Sequence, residues 1–150
     1  MSVFYMDTSA IAKHYIAEVG SKWIQSLIDP ISGHSIIVSE LTLVEFVSVL
    51  ARRQREKTMT ANDAAQYEAQ FLYDYKSQYT PVLLSTKIVS QAAQLTKRHV
   101  LRALDAIHLA SALEIGQRTG TYPIFVTADK HLVAAAAGEG LPTDDPLNHP

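Results

Sequence analysis

No cysteine occurs anywhere in the 150 residues, which excludes a disulfide framework and any zinc centre built on thiolates. Long apolar runs are missing too: each mostly apolar stretch is short and carries acids, whereas a membrane span needs about 20 apolar residues. The basic-then-apolar opening of a secretion signal is also missing, because Asp7 interrupts the first apolar run. Net charge is only −2, so no broad cationic field draws in nucleic acid, and any such contact has to be local. What is present is a hydrophobic fraction of 47% with 19% charged residues, enough for one core and unlike a disordered chain. The chain reads as a soluble, cytoplasmic protein, one domain over residues 1–150. Residues 140–150, with Pro142, Pro146 and Pro150, read as an extended or loose tail.

Four short apolar runs read as buried strands: Val3 to Met6, Ser35 to Val38, Pro81 to Leu84 and Ile124 to Thr127. Between them lie helical stretches. Ala10 to Val19 stops at Gly20, and Ser21 to Asp29 is closed by Pro30. Glu40 to Lys57 follows Ser39, a cap. Thr60 with Asp63 opens a helix reaching about Tyr79. Thr86 to His99 and Ala103 to Arg118 are two more, and a short alanine-rich helix follows Asp129. Continuous apolar strands alternating with helices predict an α/β/α sandwich around a central parallel sheet of four to five short strands. Ligands of such sheets bind beyond the carboxyl ends of the strands. Asp7 and Asp129 stand there.

Two other acids sit in apolar company. Glu45 interrupts LTLVEFVSVL and Asp105 interrupts ALDAIHLASAL. A desolvated carboxylate costs several kcal/mol unless it is paired, protonated or bound to a cation. Each acid also has a plainer reading, as helix cap, ion-pair partner or first-turn acid. Together they point to a shared divalent ion. Carboxylates and water suit Mg²⁺ or Mn²⁺, which serve phosphate substrates by polarising the phosphoryl oxygen and orienting a water.

The runs MDTSAIAKHYIAEVGS, SELTLVEFVSVLARR, LRALDAIHLASAL and FVTADKHLVAAAAGEGL resemble, in that order, the PIN domain, in particular the VapC-type toxins of type II toxin–antitoxin pairs. The resemblance implies a Mg²⁺- or Mn²⁺-dependent endoribonuclease with a metal-activated water nucleophile. It implies a homodimer acting on RNA and neutralised by a small antitoxin protein. It places the catalytic and metal-binding acids at Asp7, Glu45, Asp105 and Asp129, with hydroxyl partners at Thr8 or Ser9 and at Thr127. Glu45 either ligates the ion or accepts a proton from the water.

Arg102, just before Asp105, is a candidate contact for substrate phosphate; Arg52, Arg53, Arg55 and Lys57 offset a helix dipole or meet RNA or an antitoxin. His108 reads as a buried histidine hydrogen-bonded to some partner, and Lys13 by default as a surface residue, though it could approach a phosphate. Tyr67, Phe71, Tyr75 and Tyr79 form a stripe that faces either the core or a partner. Rival classes fare worse. A haloacid-dehalogenase-type phosphatase needs Asp where Ser9 stands, and a phospho-receiver gives no reason for Glu45 and Asp105. A non-catalytic RNA- or protein-binding module of the same fold gives no reason to keep all four acids.

Overall fold

Successive residues of a strand face opposite sides of a sheet, and that alternation layers this molecule. In the computed structural model, which describes residues 1–150, Val3–Met6 forms strand β1. Phe4 and Met6 enter one buried cluster while Tyr5 enters another. The split recurs in β2 (Ser35–Ser39) and β4 (Ile124–Val126), while β3 (Thr80–Val82) adds only Val82. Ile36, Val38 and Val126 join Phe4; Ile37, Val82 and Phe125 join Tyr5. With β5 (Thr143–Asp144), the sheet runs β3-β2-β1-β4-β5, every pairing parallel. Helices α1 (Thr8–Tyr15), α2 (Ser21–Ile28), α3 (Leu41–Arg55) and α4 (Ala61–Ser77) supply buried residues to the first cluster. The other face is covered by α5 (Thr86–Arg98), α6 (Ala103–Thr119) and α7 (Lys130–Gly138). The expected parallel sandwich forms, with five strands.

Capping chemistry explains most of the boundaries. The Thr60 hydroxyl accepts the Asp63 amide at 3.1 Å and Ser39 accepts that of Leu41 at 3.1 Å, both satisfying first-turn donors. Gly120 closes α6 at φ 78°, a backbone that glycine adopts without strain. α1 ends at Tyr15, short of the expected Val19. Ser21 and Glu18 exchange bonds there, Glu18 N to Ser21 Oγ at 2.9 Å and Ser21 N to Glu18 O at 3.1 Å. That turn replaces another helical turn.

Two other expectations need correction, and one open alternative is resolved. The tail is packed: Phe125 N donates to Pro142 O at 2.7 Å, and His149 stacks on Trp23 at 4.0 Å and 9°. Prolines forbid a helix there but not burial. The aromatic stripe serves the core, since Phe71 and Tyr79 are buried and Tyr67 and Tyr75 pack on the same cluster. α3 buries only Thr42, Phe46 and Leu50, leaving Val44 64% exposed. Glu45 therefore stands on an open helix face, not inside an apolar wall.

One packing contact makes a sharp prediction. A Cβ on Gly116 would lie 2.0 Å from Tyr122 Cδ1, close to the root of the ring. Gly116→Ala is expected to destabilise by about 1–2 kcal/mol in a denaturant titration, overpacking outweighing roughly 1 kcal/mol of helix propensity. Wild-type stability would show that the ring swings clear freely.

Candidate active site

From β1 the chain winds outward to β2 and β3, then crosses to β4 on the other side of β1. At that reversal the connections leave in opposite directions and open a crevice beyond the carboxyl ends of the strands. A cavity of about 640 Å³ occupies it, and Asp7, Glu45, Asp105 and Asp129 all line it. Thr8, Ser9, His108, Lys13, Arg52, Arg53 and Arg102 line it as well.

Asp7 follows β1 and caps α1, accepting the Ala10 amide at 3.0 Å. Ser9 Oγ donates to the same oxygen at 2.7 Å, and Thr127 Oγ1 donates to Oδ2 at 2.6 Å. Thr127 and Ser9 in turn accept the Asp129 and Ala128 amides at 3.1 Å each. The ends of β1 and β4 are thereby stitched together around one carboxylate. Burial pushes the Asp7 carboxyl up from its ordinary value, against the lowering exerted by His108 and these hydrogen bonds. Asp129 caps α7 through Oδ1, accepting from His131 N at 2.8 Å and Leu132 N at 3.1 Å. The capping and the site readings of both residues hold at once, because a carboxylate has oxygens enough for two tasks.

Glu45 reaches the cavity from α3. Thr8 Oγ1 donates to its Oε1 at 2.7 Å, and His108 Nε2 lies 2.6 Å from the same oxygen. Burial pushes Glu45 up, but the His108 hydrogen bond and charge, with Thr8, outweigh it and hold the carboxyl below its ordinary value. Asp105 opens α6. Its Oδ2 takes Arg102 Nε at 3.2 Å, and Arg102 Nη2 stands 3.7 Å from Asp129 Oδ2. Arg102 side chain is 84% exposed, so this is a weak, salt-screened clasp.

As they stand, no three imidazole or carboxylate side chains converge closely enough to hold an ion. Glu45 is turned to His108, while Arg102 lies between Asp105 and Asp129. The acids share a cavity without sharing a point.

Sequence reasoning singled out Lys13, Arg53 and His108 but not what they touch, and it missed Glu18. Lys13 is not a surface residue: its side chain is 6% exposed, its ammonium 3.0 Å from Glu18 Oε2. Arg53 Nη2 meets the other Glu18 oxygen at 2.7 Å. His108 is buried as expected, yet its partner is a site acid. The available signal was its position three residues after Asp105, which puts the two on one helix face.

The PIN domain family model matches residues 4–138. Ribonuclease VapC45 of Mycobacterium tuberculosis is 33% identical over 116 residues, covering 77% of this chain and 78% of that protein. Ribonuclease VapC47 of the same organism is 30% identical over 146 residues, covering 96% and 97%. Among solved structures, Mycobacterium tuberculosis VapC20, a sarcin–ricin loop cleaving toxin, aligns with TM-score 0.63 at 19% identity over 88% of this chain and 94% of its own. VapBC2 from Rickettsia felis, bound to a DNA fragment from its promoter, aligns with TM-score 0.64 at 12% identity, covering 95% and 98%. The family match takes in Asp7, Glu45, Asp105 and Asp129, and the chain belongs to the PIN-domain family.

Proposed function

We propose that this chain is a Mg²⁺- or Mn²⁺-dependent endoribonuclease, the toxin of a toxin–antitoxin pair, acting as a cytoplasmic homodimer. One observation carries the reading: carboxylates from four separate elements line a single cavity together with Lys13, Arg52 and Arg53. Acids without cations would repel a phosphodiester, and cations without acids would only bind one. The names of the curated relatives, ribonucleases all, support the same reading. The solved VapBC pairs support an antitoxin partner.

The donor set suits a hard cation, being oxygen throughout. Asp7, Glu45, Asp105 and Asp129 would hold it once Arg102 lets go of two of them, and an exposed arginine clasp is worth only about 0–1 kcal/mol. Such an ion supplies an activated water and charge stabilisation at the phosphorus. The protein's own part is positional. Thr127 and Ser9 fix both oxygens of Asp7, and Thr8 fixes one of Glu45. Lys13, Arg52 and Arg53 bind flanking phosphates, and Arg102, freed from the acids, faces the scissile one.

Purified protein incubated with structured RNAs and Mn²⁺ is expected to cut, and EDTA or Asp7→Ala to stop it. Equal cleavage by Asp7→Ala, or none across a broad panel, would leave a PIN-fold RNA- or protein-binding module. Lys13→Met is expected to weaken RNA affinity with kcat unchanged, and to flatten the salt dependence by about one phosphate contact. An unaltered salt slope would mean that Lys13 serves only Glu18.

A further inference from the structure

His108 is 2% exposed on α6, and both its ring nitrogens are engaged by side chains far off in sequence. Nδ1 lies 2.9 Å from the Tyr5 hydroxyl on β1, and Nε2 2.6 Å from Glu45 Oε1 on α3. An ionised carboxylate can only accept, so Nε2 carries a proton toward Glu45, while Nδ1 at the other side of the ring is paired with the Tyr5 hydroxyl. Burial keeps that hydroxyl protonated by pushing its pKa well up. Tyr5 itself is a fixed point, fully buried and stacked on Phe125 at 5.3 Å and 6°.

We propose that Tyr5 and His108 are positioning residues that lock Glu45 in one orientation at the cavity. The inference rests on the nuclease reading above and deepens it. His108 and Thr8 both converge on Oε1, at 2.6 and 2.7 Å, and no side chain holds Oε2. One oxygen is clamped so that the other is presented to the cavity. Stability alone gives no reason for this arrangement. Glu45 is 23% exposed and already has a donor in Thr8, whereas an apolar residue at 108 would be cheaper in the core than a polar relay. The relay ties the site to the centre of the sheet, the way histidine ligands elsewhere are oriented by groups behind them.

The test uses His108→Leu, His108→Gln and Tyr5→Phe. In metal-free wild type, long-range ¹⁵N NMR at neutral pH is expected to place a proton on His108 Nε2; a bare Nε2 with the proton on Nδ1 overturns the proposal. His108→Leu is expected to weaken Mn²⁺ binding, followed by EPR with the metal alone, and to lower kcat with KM little changed, each by about 10–100-fold. His108→Gln, whose amide still reaches Glu45, is expected to recover most of both, and Tyr5→Phe to fall between. If His108→Leu does not fold, Gln and Tyr5→Phe carry the comparison. Mn²⁺ affinity and kcat equal to wild type, or a loss that Gln does not rescue, would reduce His108 to packing. Wild type that leaves every RNA intact sinks the nuclease reading instead, while the NMR result still judges the lock.

Discussion

Asp7→Asn is expected to lower RNA cleavage by more than about 100-fold, above the range for groups that merely orient a ligand, while leaving the fold as stable as wild type or more so. The two halves of that result have one cause. Asp7 is buried at the crossing of β1 and β4, where its hydrogen bonds do not fully repay desolvation, so its carboxyl is pushed up. Asn keeps the shape and one oxygen for Ser9 and the Ala10 amide but loses the charge. A raised native pKa means that the folded state holds its proton more tightly than the unfolded chain. Stability of the wild type therefore falls as pH rises from the unfolded Asp pKa through the native one. The Asn variant lacks this loss, so its advantage is expected to grow over that window, then level off. Thermal melts from pH 4 to 8 with a cleavage assay check both. A variant that cuts normally would remove Asp7 from the chemistry, and one that unfolds would make it chiefly a cap.

Mn²⁺ at a hundred times its dissociation constant is expected to stabilise the wild type by about 2.7 kcal/mol. For a chain of this length that raises Tm by roughly 5–10 °C, a shift that EDTA abolishes. Asp7→Asn and Glu45→Gln are expected to abolish or greatly shrink it. The shift is sensitive to arrangement, because Arg102 spans Asp105 and Asp129 and no three acidic or imidazole side chains converge. Binding has to displace that clasp. A melting temperature indifferent to Mn²⁺ and Mg²⁺ would favour a binding module over an enzyme.

Short continuous apolar runs and helical patterns marked β1 to β4 and the helices of this protein within a few residues, because burial of a whole strand or of one helix face is a short-range signal. Caps were legible for the same reason: Thr60, Ser39 and Gly120 act on neighbours. The boundary that failed, at Tyr15, turned on a Ser21–Glu18 exchange that competes with helix on nearly equal terms. The acids were legible as exceptions to apolar patterning. What each acid touches was not.

Sequence alone, then, determined the layered parallel fold and the family, and picked out four carboxylates that line one cavity, since these are written in local composition and order. Only the tertiary structure decided that Lys13 is buried against Glu18, that Thr127 reaches Asp7 across 120 positions, and that Tyr5 and His108 stand behind Glu45. Those pairings depend on which strands become neighbours at the switch between β1 and β4. That choice is made by packing of the whole core, and no stretch of chain contains it.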